Sequence, residues 1–177
     1  MDEQKNNHNT LAKTLHKVEE AKRKLNYEVG TLISPDGKVI KEYIGGAHGI
    51  QIPAADKPLF WDNIFTHNHP NGRTFTVEDI LEFAASGLFE VRVSTPQGTY
   101  FSLKESGEEI NRSIGRVMQE EKVGSRKQAT QIYEQRRITS IGIARDNKIY
   151  DIMGEEIDKW LSKNAEEFGY IYTKGEL

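Results

Sequence analysis

The chain has 177 residues, with 24 basic and 27 acidic side chains, five histidines and no cysteine. That length buries roughly 70% of the unfolded surface, enough for an ordinary core without staples. Disulfides, thiolate metal sites and a cysteine nucleophile are excluded, so any metal must be held by His, Asp or Glu.

The first residues, MDEQKNNHNT, lack the apolar core of a secretory signal, and no stretch approaches the ~18 apolar residues of a membrane span. A cytoplasmic protein without a membrane partner is expected. Charge is spread unevenly: residues 28 to 110 carry six basic and twelve acidic side chains, residues 111 to 148 nine and four.

Leu11, Leu15, Val18 and Leu25 recur at helical spacing and predict a helix over about 10–26, with Thr10 as its N-cap. Glu19 and Glu20, beside lysines, read as solvated partners. YEVGTLIS and KVIKEYI, joined by Ser34-Pro35-Asp36-Gly37, predict a hairpin. Gly45, Gly46 and Gly49 open a loop, and a short strand over Asn63–Thr66 delivers the chain to His67. Val77, Ile80, Leu81 and Ala84 then mark a helix ending near Gly87. FEVRVST and TYFSL form a second hairpin around Pro96-Gln97-Gly98.

From about Gly107 to Arg137 the chain is charged and helix-favouring, and Gly124-Ser125 divides it into two helices. ITSIGIA and KIYDIM are short apolar runs, and Glu155–Phe168 reads as a last helix. Trp61 and Trp160 read as packing anchors among apolar neighbours. The order predicts an α/β domain over residues 1–104, with helices against a mixed or mostly antiparallel sheet, and a mainly helical C-terminal extension over 105–177.

The stretch THNHPNGRTFTVEDI, Thr66–Ile80, carries the chemistry. Residues two apart in an extended segment point the same way, so His67 and His69 aim at one place while Asn68 faces away. Pro70 and Gly72 bend the chain, and Asp79, near the start of the next helix, can return its carboxylate to the imidazoles. Two neutral imidazoles and a carboxylate are a ligand set of catalytic zinc, with a fourth position left to water. Asp79 also suits the helix dipole, and Thr76 suits the N-cap.

This stretch resembles the signature of the JAMM (MPN-plus) metalloproteases, an HxHP segment followed by Ser or Thr, two residues and Asp. The nearest branch is the RadC-like and JAB-type domains of phage and mobile-element proteins, whose motif is of the HNHP type. The resemblance covers about Asn26–Leu103, and the spacing from His69 to Asp79 is one residue shorter than is usual in the family. It implies a cytidine-deaminase-like α/β core, zinc held by His67, His69 and Asp79, and Thr76 positioning substrate or stabilising the oxyanion. A glutamate on the strand after the first helix would act as general base. Glu28 fits that place, with Glu42 in reserve; His48, in a glycine loop, and His8 and His16 read as bystanders.

The expected function is hydrolysis of a peptide or isopeptide bond, with a peptide or ubiquitin-like protein as substrate. The alternatives are a non-catalytic JAMM-like binding or scaffold module, or a RadC-like nucleic-acid-associated protein using the basic stretch 111–148. The more ordinary reading of that stretch is a solvated helix surface.

Overall fold

The computed structural model describes residues 2–47, 49–107 and 109–177, with backbone alone for residues 2–8. His48 and the side chain of His8 lie outside the described residues. The chain folds in the order α1 (Asp2–Lys22), β1 (Val29–Ile33), β2 (Val39–Ile44), a 3-10 turn (Ala54–Phe60), β3 (Ile64–Asn68), α2 (Val77–Ser86), β4 (Glu90–Ser94) and β5 (Thr99–Glu105). Then come α3 (Ile114–Glu120), α4 (Arg126–Gln135), α5 (Gly142–Asn164), a second 3-10 turn (Ala165–Phe168) and β6 (Tyr170–Glu176).

The expected α/β architecture with a mixed sheet is present. Six strands lie in the order β2-β1-β3-β4-β5-β6; β3 and β4 are parallel, and every other neighbouring pair is antiparallel. The parallel pair is the one joined by a helix, α2, as a crossover requires. Both expected hairpins form, as β1–β2 and β4–β5. Helix α2 has Thr76 as N-cap and Gly87 as a left-handed C-cap.

Alternation along the strands divides the sheet into two faces. Leu32, Phe65, Val93 and Leu103 join the main core with Ile80 and Phe83 of α2, Met118 of α3 and Leu161 of α5. The other face packs Ile33 and Ile64 against Leu15 of α1. Residues 105–177 do supply three helices, but Tyr170 of β6 also enters the main core, and β6 pairs with β5 along its length. Helices α4 and α5 add a small cluster of their own around Tyr133 and Ile149.

Three local expectations are corrected. Helix α1 begins at Asp2 and ends at Lys22, so Thr10 is an interior residue and not a cap; the sequence before it contains no glycine or proline to stop a helix. KIYDIM is not a separate run but the middle of α5. Trp61 is 60% exposed rather than a packing anchor, with Arg112 over its ring at 5.4 Å.

A fourth correction concerns Glu19, expected in solvent and only 1% exposed. Arg92 of β4 donates to both its oxygens, from Nε to Oε1 at 2.6 Å and from Nη2 to Oε2 at 3.0 Å. Thr66 Oγ1 donates to the same Oε1 at 2.9 Å. The third arm of the guanidinium reaches Glu90 Oε1 at 3.0 Å, which also accepts from Ser102 Oγ at 2.6 Å. One arginine thus holds two buried carboxylates between α1 and the sheet, and its loss leaves both uncompensated. Arg92→Met should lower unfolding free energy by ~3–5 kcal/mol in urea melts; a loss below about 1 kcal/mol, the range of exposed pairs, would rank this network with the surface ones.

No helix among the described residues is long and apolar enough to cross a membrane.

Candidate metal centre

Strands β1 and β3 are neighbours, and Gly30 pairs with His67 across them. A Cβ at Gly30 would lie 2.2 Å from the Phe65 ring, so glycine lets β1 close against the strand that bears the histidines. Asn68, fully buried, accepts from Val29 N at 2.7 Å and donates to Tyr27 O at 2.9 Å. It grips the backbone on both sides of Glu28 and thereby fixes where that side chain starts. Sequence reasoning assigned Asn68 only the role of facing away; its partner is 39 residues distant, and nothing local announces it.

His67 and His69 meet as their spacing predicts, with Nε2 to Nε2 at 3.0 Å. Asp79 completes the convergence, Oδ1 lying 3.4 Å from His67 Nε2 and Oδ2 3.6 Å from His69 Nε2. Ligands around a tetrahedral ion with bonds of ~2.0–2.1 Å stand about 3.3 Å apart, so these separations suit one. Glu28, His67 and His69 are all buried, and a carboxylate oxygen and one ring nitrogen from each histidine lie within 4.8 Å of one another. This Glu-His-His group could hold a metal ion. Glu42, by contrast, pairs with Lys22, and His16 is exposed.

The backbone around His69 fixes its tautomer. His69 Nδ1 faces the carbonyls of Arg73 at 3.2 Å and Thr74 at 3.0 Å. Carbonyls only accept, so Nδ1 carries the hydrogen and Nε2 offers its lone pair to the cluster. Burial pushes the His69 pKa down, aided by His67; Asp79 and the two carbonyls oppose this. For Asp79, burial works to raise the pKa, but the His67 hydrogen bond, the charges of both histidines and the Thr76 N–H prevail and hold it well below the carboxylate range.

Thr76 forms a capping box with Asp79: its N–H and hydroxyl donate to Asp79 Oδ2 at 2.7 and 2.8 Å, and Asp79 N donates to Thr76 Oγ1 at 3.1 Å. The hydroxyl aims at the Asp79 carboxylate and thereby orients it. Thr76→Ala should lower stability by ~1 kcal/mol and metal affinity ~10–100-fold, with Thr76→Ser restoring both. Isothermal titration with zinc would check this; undiminished affinity in the alanine variant would leave Thr76 as a helix cap alone.

The cluster lies in a cavity of about 320 Å³ whose wall includes Glu28, His67, His69, Thr76 and Asp79. The His69–Thr76 segment is tied to α5 through Arg73, whose Nε donates to Asp151 Oδ1 and Nη2 to Asn147 O, both at 3.2 Å, and whose guanidinium lies over the Tyr150 ring.

In the stretch 111–148, Arg112, Arg116, Arg126, Arg136 and Arg145 each lie beside an acidic partner, Glu105, Glu120, Asp146, Glu155 and Glu134 respectively. Their charge is largely answered within the fold. Among known protein families, curated proteins and solved structures, none matches this chain.

Proposed function

We propose that the protein is a metal-dependent hydrolase of a peptide or isopeptide bond, of the kind its HxHP motif resembles. The observation that carries this reading is the convergence of two imidazoles and a carboxylate in the wall of a cavity, with a second buried carboxylate, Glu28, beside them. His67, His69 and Asp79 would hold the ion, and their N,N,O donor set suits zinc. When bound, zinc would supply Lewis acidity, polarising the scissile carbonyl and bringing the pKa of water toward ~7.

The chain's own groups would do the rest. Glu28 lies outside the tighter His-His-Asp contact and would take the proton of the attacking water and return it to the leaving nitrogen. Thr76 would orient Asp79, and the carbonyls of Arg73 and Thr74 would hold His69 in its ligating tautomer. Asn68 would keep Glu28 at its station through the backbone on either side. The apolar walls, including Phe65 and Val91, would limit competing water around the reacting bond.

Metal analysis of the purified protein, paired with cleavage assays on ubiquitin-like fusions and isopeptide-linked conjugates, tests the reading. Stoichiometric zinc with cleavage supports it; zinc without turnover on any of them would favour a binding module.

A further inference from the structure

We propose that the groove between the His69–Val77 segment and α5 is the substrate channel of this protein. It would take one flank of an extended peptide that carries an apolar residue next to a carboxylate. The inference deepens the hydrolase reading and rests on it for what happens at the groove's inner end. The groove, about 1090 Å³, runs into the metal cavity: Glu28, His69, Thr76 and Glu78 line both. Its volume is at the upper limit of small-molecule sites and suits a run of residues better than a compact ligand.

The outer wall comes from the turn after α3 and from one face of α5. In the middle of that 23-residue helix stands Gly154. A helix interior disfavours glycine relative to alanine. Gly154 has no positive φ to require it, and a Cβ there would meet nothing closer than Thr74 Cγ2 at 3.5 Å. At Gly154 the α5 wall carries no side chain, so the groove is open there and only a group much larger than a methyl would fill it.

The lining defines the occupant. Val77, Val123 and Met153 offer an apolar surface, while the acidic groups, Glu28 and Glu78, stand at the cluster end. Two cations line the remainder, Arg73 and Lys122. Arg73 is held by Asp151 and serves to tie the walls together. Lys122 makes no ion pair among the described residues and is the cation left to meet a ligand carboxylate. That carboxylate belongs either to an acidic side chain or to a peptide C-terminus.

The test uses a library of short unstructured peptides, each as the free acid and as the C-terminal amide. Peptides retained by immobilised zinc-loaded Glu28→Gln protein are identified by mass spectrometry. The expected result is enrichment of peptides with an apolar residue beside a carboxylate. Retention should fall at least tenfold when Gly154→Trp is added, stay with Gly154→Ala, and lose its acidic preference with Lys122→Glu. Zinc content should be unchanged in each. Amides retained as well as acids place the carboxylate on a side chain; loss of the amides places it at the terminus. No enrichment, or equal retention with Gly154→Trp, overturns the channel. If the tryptophan variant fails to fold by circular dichroism, Lys122→Glu decides alone, and an unchanged acidic preference overturns it. Cleavage of the same library by the wild-type chain is read separately: intact peptides after retention sink the hydrolase reading and leave the channel standing.

Discussion

The Glu28→Gln protein should bind zinc as the wild type does and hydrolyse its substrate at least ~10²–10⁴-fold more slowly. The substitution keeps the size of a side chain that is 7% exposed, so packing around it changes little. It removes the one property the proposed mechanism needs, a carboxylate oxygen that accepts a proton from water and returns it to the leaving nitrogen. Because a carboxylate oxygen of Glu28 lies within 4.8 Å of the ring nitrogens, the competing assignment makes Glu28 itself a ligand. The two assignments separate in the metal channel of the experiment. If Glu28→Gln loses zinc while Asp79→Asn keeps it, the ligand set is Glu-His-His and the proton shuttle must be sought elsewhere. The shorter separations of Asp79, 3.4 and 3.6 Å from the two Nε2 atoms, favour the opposite outcome.

His67→Ala should abolish stoichiometric zinc and, with it, the thermal stabilisation that zinc confers on the wild type. An ion at about 1,000 times its dissociation constant stabilises the folded state by ~4 kcal/mol through mass action, a shift easily read in a melt with and without chelator. Removing one of the three proposed ligands would leave a donor set unable to exclude solvent from the ion. Acid should act in the same direction, because protons compete for the ligands. With the His69 pKa pushed down, its ring yields to protons less readily than an ordinary imidazole, and zinc affinity should decline as pH falls. The sign for the metal-free fold agrees. A histidine whose pKa is lowered by folding, and an aspartate whose pKa is likewise lowered, both bind fewer protons folded than unfolded, so stability declines as pH falls through their unfolded values. A zinc-dependent melting shift that persists in His67→Ala would remove this histidine from the centre.

Much of the framework was legible because its signals are local. Turn chemistry at Ser34–Gly37 and Pro96–Gly98 announced both hairpins, and Thr76 and Gly87 bounded α2 through interactions spanning four residues or fewer. The meeting of His67 and His69 follows from the period of an extended chain, and the return of Asp79 from a turn and the first turn of a helix. What escaped depends on distant partners. Glu19 resembles any lysine-flanked helical glutamate until Arg92, 73 residues away, is placed beneath it. Strand β6 opens on the β-favouring run Tyr170-Ile171-Tyr172, but its place in the sheet is set by pairing with the distant β5, Tyr170 lying opposite Glu105.

By itself, then, the order of residues determined the α/β class, the order of most elements and a pair of imidazoles on one side of a strand. Tertiary structure alone decided that Glu28 stands beside that pair, held by Asn68, and that α5 is tied to the His69 loop through Arg73. The division has a physical cause. Backbone periods and turn geometry act over a few residues, whereas burying a carboxylate or forming a groove depends on which distant surfaces the folding of the core brings face to face.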